Sequence, residues 1–134
     1  FIIRFHPLIC VNTLFKSLEL TTSRIPANLL ISTQPLQEDL THASCAVYSG
    51  SSAVSAAALA GLTCIRYDHS EYSSLSDPFA LTGFNPASFS ELDSLVNLLS
   101  NLSSFKPSLS QQSKAALSLY SPFNPSSLLN HLFV

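Results

Sequence analysis

The middle of the chain contains three consecutive runs whose composition changes at each boundary. Residues 45–48 are apolar, and residues 62–67 include the β-branched Thr63 and Ile65 and the aromatic Tyr67, which is typical of strands. Residues 51–60 between them are rich in Ala, the residue with the highest helix propensity. The pattern predicts strand, helix, strand, with Ser51 as the helix N-cap and Gly61 just past the helix C-terminus.

The same alternation extends upstream to the first residue. Residues 1–5 and 29–32 are predicted to be strands, and residues 12–20 and 35–43 to be helices, the second with Pro35 at its first position. Strands that alternate with helices favour parallel pairing with right-handed crossovers. We therefore expect an α/β fold, a Rossmann-like parallel sheet of about four strands with flanking helices.

The second half of the chain has a different pattern. Residues 68–86 are predicted to form a polar loop, and no strand signal follows Tyr67. Three helices are predicted after it: one after a capping box at residues 88–91, one after a capping box at residues 108–111, and one from Asn124-Pro125 to the end. The predicted organisation is an α/β core over residues 1–86 and a helical C-terminal tail, residues 87–134, that packs on the same domain.

Composition excludes several classes of function. Six Lys or Arg residues against eight Asp or Glu give a net charge of −2, so no basic surface is expected for nucleic acid. The three cysteines form no CxxC pair and are odd in number, which predicts free thiols and neither a disulfide framework nor a metal site.

Two features of the chain concern membranes and length. Residues 40–65 carry no charge, but they are rich in Ser and Ala, so we expect no transmembrane segment and keep a membrane-spanning helix as an alternative. The sequence contains no Met and begins on the apolar run Phe1-Ile2-Ile3, as if in the middle of a strand. It is interpreted as a piece of a longer polypeptide.

Ligands of open parallel sheets bind beyond the carboxyl ends of the strands, where this sequence places residues 4–7, 48–52 and 67–78. In the second segment Gly50 permits close approach to the backbone, while Ser51 and Ser52 offer hydroxyl groups beside the amides of a helix N-terminus. That arrangement can hold a phosphate without a basic residue. Taken alone, Ser51 is better explained as an ordinary N-cap, the role of most Ser residues that precede helices.

Residues at the end of the first predicted strand give a second signal. Pro7 cannot continue a strand ladder, so His6 would be held at the strand exit, where its ring can donate to a phosphate oxygen. Arg4 shares the strand face of His6. A hydrolase with a Ser49, Ser51 or Ser52 nucleophile ranks low, because no register gives the G-x-S-x-G elbow. No role is predicted for His42, His69 or His131.

Together these residues resemble the C-terminal half of GT-B glycosyltransferases, and within them bacterial surface-carbohydrate and capsule enzymes. The resemblance covers about residues 1–100 and rests on ordered motifs: Arg4-Phe5-His6-Pro7, a helix before an apolar strand, Ser51-Ser52 with Ala57 and Gly61, and Asp77-Pro78. Two positions differ from that family's pattern, with Ala56 in place of a Glu and Thr63 in place of a Pro, which leaves the nucleotide open.

The resemblance implies half of a GT-B fold that binds a nucleotide-activated sugar and needs no metal or other cofactor. His6, Ser51 and Ser52 would contact donor phosphate, Gly50 would permit its approach, and Arg4 would add a positive charge. The catalytic base and the acceptor site would lie on an N-terminal domain of the same polypeptide, so these 134 residues would not be a complete enzyme. The acceptor would be a surface polysaccharide or glycolipid.

Two other functions remain as alternatives. One is a non-catalytic α/β module that packs against partners through its Leu-rich helices. The other is half of a nucleotide-sugar epimerase, for which Asp68, Glu71 and Asp77 are the nearest candidate carboxylates. The expected location is the cytoplasm, with the inner face of the membrane as an alternative position.

Overall fold

The fold consists of two compact units, Phe1–His42 and Ala43–Val134. The computed structural model describes residues 1–6, 8–17, 19, 25–69, 76–104 and 109–120. Both units contain parallel strands connected through helices, so the predicted α/β class is confirmed. The division between the units falls at residue 42, inside the region predicted as a single core.

The first unit is a two-stranded parallel sheet with two short helices. Its elements are β1 (Ile2–Ile3), α1 (Val11–Ser17), β2 (Leu30–Ile31) and α2 (Leu36–Thr41). Ile2 pairs with Leu30 and Ile3 with Ile31. Helix α2 begins one residue later than predicted, because Pro35 has an extended ψ of 144° and takes the N-cap position.

The second unit is built on three parallel strands in the order β3-β4-β5. They are β3 (Cys45–Tyr48), β4 (Thr63–Tyr67) and β5 (Ala87–Phe89). Cys45 pairs with Thr63 at one end of the sheet, and Tyr67 pairs with Phe89 at the other. Strand β4 lies between two partners, which explains why its first three residues are all buried and its sequence does not alternate.

Over its described residues this unit also contains three α-helices, α3 (Ala53–Leu59), α4 (Leu92–Ser100) and α5 (Leu109–Ser118). A 3-10 turn lies at Ala80–Thr82. Helix α3 ends in a Schellman motif: Gly61 has φ +80°, its N–H donates to Ala58 O at 3.1 Å, and Leu62 N–H donates to Ala57 O at 3.0 Å. The predicted stop at Gly61 is confirmed.

Helices α3 and α5 pack through small residues. Ala57 and Ala58 of α3 and Ala115 and Ala116 of α5 are buried, and the Ser113 hydroxyl donates to Ala58 O at 3.1 Å. Small side chains let two helix backbones approach closely, so this contact gains dispersion energy over many short atom pairs.

Gln112 of α5 completes the edge of β4 where β5 is too short to reach. Its side-chain Nε2 donates to Leu62 O at 2.5 Å, and its Oε1 accepts from Cys64 N–H at 3.0 Å. Asp68 N–H donates to Phe89 O of β5, and strand residues two apart point to the same edge. Leu62 and Cys64 therefore face the β5 side, and one buried amide replaces the missing strand residues.

The predicted capping box at residues 88–91 is wrong. Ser88 lies in β5, where it pairs with Arg66, and α4 begins at Leu92 after an extended Glu91 that makes no side-chain cap. The expectation of no strand after Tyr67 fails with it. Strand β5 forms because β4 offers an unpaired edge and Tyr67 offers a ring on which Phe89 packs, and neither condition is visible in the local sequence.

Several predictions lie outside the described residues, in whole or in part: Pro7, Glu71, Ser108, His131 and the helix from Asn124-Pro125. The helix predicted to follow Ser108 is present as α5. Over the described parts of the chain, every helix is too short or too polar to span a bilayer.

Candidate functional site

A shallow, open depression of about 380 Å³ lies at the carboxyl ends of the strands in the second unit. Tyr48, Tyr67 and Phe89 line it, and they are the last residues of β3, β4 and β5 respectively. Val47 and Ser49 complete the lining, which carries no charged side chain. This is the edge at which open parallel sheets bind their ligands.

Three rings stand in a row along this edge. The Tyr67 ring is 5.1 Å from the Phe89 ring and 5.8 Å from the His69 ring, with tilts of 32° and 35°. A hydrogen bond of 3.2 Å joins the Ser49 hydroxyl to Nδ1 of His69. His69, for which the sequence predicted no role, thus connects the ring row to the turn after β3.

The Ser49–Ser52 turn, residues 49–52, follows β3 and is exposed throughout. Ser52 holds the N-cap position of α3 without a side-chain cap, and the Ser51 hydroxyl accepts from Ala53 N–H at a long 3.4 Å. The N-cap is one residue later than predicted. Both hydroxyl groups therefore lie at the surface beside the first amides of the helix.

Gly50 is required by two independent features of this turn. Its φ of +66° lies in the left-handed region, which side chains disfavour. A Cβ at this position would lie 2.9 Å from Ser76 Oγ and 3.2 Å from Ser76 Cβ. The close approach that Gly50 permits is therefore already made within the chain, by the segment that precedes Asp77.

His6 lies in the first unit and is oriented by its own backbone. Its Nδ1 accepts a hydrogen bond from Leu8 N–H at 3.2 Å, and its carbonyl accepts from Ile9 N–H at 2.8 Å. A neutral ring that accepts at Nδ1 carries its proton on Nε2. The exposed ring of His6 thus presents an N–H donor at the end of β1.

Arg4, the second predicted residue of this unit, is an ion-pair partner. Its guanidinium bonds the Asp39 carboxylate and the Gln34 carbonyl, the latter at 2.6 Å. Ser32 donates to the same carboxylate at 2.8 Å. The Arg4 hydrogen bond, followed by that of Ser32, holds the pKa of Asp39 below its usual value. The fold thus already uses the positive charge predicted to face a phosphate.

A second arginine, Arg66 of β4, binds two carboxylates in the other unit. Its Nε and Nη2 bond the two oxygens of Asp68 at 2.6 and 3.2 Å, and its Nη1 bonds Asp77 at 2.6 Å. Asp77, whose side chain is 1% exposed, also accepts from the Tyr48 hydroxyl at 2.9 Å and from Phe79 N–H at 3.0 Å. We refer to these residues, Tyr48, Arg66, Asp68 and Asp77, as the Arg66 cluster.

The Arg66 cluster changes the chemistry available to its members. The hydrogen bonds of Arg66 lower the pKa of Asp68. Burial, reinforced by the Asp77 carboxylate, raises the pKa of the Tyr48 phenol, so Tyr48 stays protonated and acts as a donor. Asp68 and Asp77, the described carboxylates considered for an epimerase, both serve as ion-pair partners of Arg66.

Sequence reasoning identified the Ser49–Ser52 turn and missed the residues around it. Tyr48 and His69 lie in the candidate segments 48–52 and 67–78 but have no predicted role, and Arg66 and Phe89 lie outside those segments. The available signal was the Arg-x-Asp spacing at residues 66–68, because residues two apart in a strand share a face. Among the described residues, no group of three or more His, Cys, Asp or Glu side chains is arranged to hold a metal ion.

Comparisons with models of protein families, with curated protein sequences and with solved structures find no match to this chain.

Proposed function

We propose that this chain binds the nucleotide part of a nucleotide-activated sugar, as the donor-binding half of a GT-B glycosyltransferase. That enzyme would transfer the sugar to a surface polysaccharide or glycolipid acceptor. The observation that carries the proposal is the exposed Ser49–Ser52 turn, which follows β3 directly at the carboxyl edge of the sheet. The motif resemblance supplies the reaction class.

The chemistry of the turn supports a phosphate ligand. Ser51 and Ser52 present hydroxyl donors beside backbone amides at the start of α3, and hydrogen bonds to an ionised acceptor are stronger than those between neutral groups. The apolar depression next to Ser49 carries no charge, so it suits an uncharged ring attached to the phosphates. The motif resemblance adds His6, whose Nε2 carries the ring proton, as a further phosphate contact.

The test is a nuclear magnetic resonance titration of the full chain with CMP, UDP and GDP. We expect one of the three to shift the backbone amides of Ser51 and Ser52 and the ring signals of His6. Replacing both hydroxyls in Ser51→Ala/Ser52→Ala should weaken binding about tenfold or more, since one hydrogen bond to a charged group contributes about 1.5–3 kcal/mol.

A matched control is available elsewhere on the surface. Ser103 and Ser104 form another exposed serine pair, after α4, and Ser103→Ala/Ser104→Ala should leave the affinity unchanged. If none of the three nucleotides shifts Ser51 or His6, the proposed function is wrong.

A second candidate, a non-catalytic interaction module, is favoured by helix α4. No residue of α4 is buried, and Leu92 and Val96 are 72% and 53% exposed. Apolar side chains one turn apart on an open helix face can pack against a partner. Sedimentation should then give a mass that rises with concentration in the native chain and not in Leu92→Ser/Val96→Ser. A concentration-independent mass in the native chain would remove self-association from consideration.

A further inference from the structure

Arg66 is placed so that one side chain reaches the two segments that flank the Ser49–Ser52 turn. Its side chain is 11% exposed, and Arg66 is the residue before the last one of β4. Asp68 takes two of its nitrogens and Asp77 takes the third. The two carboxylates belong to different parts of the chain, one directly after β4 and one before the 3-10 turn.

The Asp77 side of this arrangement reaches Gly50. Asp77 is fixed by Arg66, by the Tyr48 hydroxyl and by Phe79 N–H. Its neighbour Ser76 therefore has a defined position, and Ser76 is the residue that a Cβ on Gly50 would contact at 2.9 Å. The segment held by Asp77 thus packs against the turn at its second residue.

The Asp68 side reaches Ser49. Asp68 is held by the bidentate pair with Arg66 and by the hydrogen bond from its own N–H to Phe89 O at 2.8 Å. The next residue, His69, then brings Nδ1 to 3.2 Å from the Ser49 hydroxyl. The segment held by Asp68 therefore contacts the first residue of the turn.

We propose that Arg66 is the positioning residue of the Ser49–Ser52 turn, holding it from two sides through Asp68 and Asp77. The planar guanidinium fork is essential, because a Lys ammonium at this site cannot bond one carboxylate through two nitrogens and reach the second as well. The expected effect of Arg66 on ligand affinity rests on the proposed function. The expected effect of Arg66 on the position of the turn is independent of that function.

The first arm of the test measures the turn without any ligand. Amide hydrogen exchange is compared in the native chain and in Arg66→Lys, at Val54 and Ser55 relative to Ile65, a fully buried residue of β4. Val54 N–H and Ser55 N–H donate to the turn carbonyls of Ser51 and Ser52 at 3.2 and 3.1 Å, so their protection depends on the position of the turn. We expect exchange at Val54 and Ser55 to rise about tenfold or more relative to Ile65, the factor that loss of one charge-assisted hydrogen bond corresponds to. An unchanged ratio would overturn the proposal.

Gln112→Ala is the matched control, because it disturbs the same strand at the other end. It removes both hydrogen bonds to Leu62 and Cys64 and touches no residue of the turn. If any damage to β4 were enough to loosen the turn, Gln112→Ala would raise the ratio as well, and that outcome would also overturn the proposal.

A second variant guards against a failure of Arg66→Lys to fold. Asp68→Asn leaves the pair between Arg66 and Asp77 in place and weakens only the His69 side. It should shift the ring signals of His69 and the Cβ signal of Ser49, whose hydroxyl contacts that ring, while the signals of Gly50 change less. Unchanged Ser49 and His69 signals in Asp68→Asn would count against the arrangement.

The second arm uses the nucleotide that binds the native chain. Arg66→Lys should weaken its affinity about tenfold, while Gln112→Ala leaves it within about twofold. If no nucleotide binds the native chain, the proposed function fails and the exchange experiment still decides the role of Arg66. If the nucleotide binds Arg66→Lys as tightly as the native chain, the link between Arg66 and the ligand is refuted while the proposed function stands.

Discussion

Asp77→Asn should destabilise the second unit more than any other isosteric change at its carboxyl edge. The native carboxylate accepts three hydrogen bonds, from Arg66, Tyr48 and Phe79, and has 1% of its side chain exposed. An amide has one acceptor oxygen and one donor NH2. Whichever way it turns, its NH2 faces at least one donor of the native cluster, and water does not reach the site to compensate.

The magnitude follows from what the substitution leaves behind. Removing one partner of a buried ion pair costs about 3–5 kcal/mol when the other charge is stranded. Arg66 keeps its bidentate pair with Asp68, so we expect the lower end, about 3 kcal/mol. For a unit of this size, about 4–8 °C of melting temperature corresponds to each kcal/mol, which predicts a decrease of roughly 12 °C or more.

The assay is thermal unfolding followed by circular dichroism at neutral pH, with Tyr48→Phe as the reference. That variant removes one hydrogen bond to the same carboxylate and strands no charge, so about 1.5–2 kcal/mol is expected. A melting temperature of Asp77→Asn within about 3 °C of the native value would refute the reasoning, because it would mean that Asp77 contributes no more than a surface carboxylate.

Three further predictions follow from features of the same structure. Gly50→Ala should lower the free energy of unfolding in urea more than Gly61→Ala does. Both residues have a positive φ, which disfavours Ala by about 1–2 kcal/mol, but only at Gly50 would the new Cβ contact Ser76. The double variant Gly50→Ala/Ser76→Gly should therefore recover part of the lost stability, and no recovery would contradict the contact. Arg66 lowers the pKa of Asp68, so Asp68 contributes stability above its unfolded pKa of about 3.9 and loses that contribution as pH falls through its lower native pKa. The urea midpoint of the native chain should therefore fall more steeply over this acid range than that of Asp68→Asn. Parallel curves of urea midpoint against pH for the two proteins would contradict this contribution of Asp68. Burial raises the pKa of the Cys45 thiol and raises that of Cys64 to about 12, whereas hydrogen bonds from Thr13 lower the pKa of the exposed Cys10. Iodoacetamide followed by mass spectrometry should therefore modify them in the order Cys10, Cys45, Cys64, and any earlier reaction of the last would contradict the buried position.

The unit β3-α3-β4 could be predicted from sequence because its signals are local. Four apolar residues before Ser49-Gly50, an Ala-rich run and a stop at Gly61 each fix one boundary, and they agree with one another. Strand β5 could not be predicted in this way. Its three residues are typical of the start of a helix, and they form a strand only because they pair with the open edge of β4 and Phe89 packs on the Tyr67 ring.

In the candidate site too, the features with local sequence signals could be predicted and those that depend on distant residues could not. The Ser49–Ser52 turn was predictable because Gly and Ser directly after a strand have a local meaning. The Arg66 cluster was not, because its central carboxylate lies 11 residues from Arg66 and 29 from Tyr48. Sequence alone also assigned Arg4 to a ligand, since nothing near it indicates that Asp39, 35 residues later, takes its charge.

The amide of Gln112 has a consequence for synthesis on the ribosome. Leu62 and Cys64 of β4 receive their edge partners from a side chain 50 and 48 residues later. Until that part of the chain has emerged, β4 presents unpaired backbone groups beside side chains that are buried only in the complete fold, the kind of edge to which another nascent chain can add a strand. Aggregation during expression should therefore be worst for chains cut between β5 and α5, although such chains already contain every strand of the sheet.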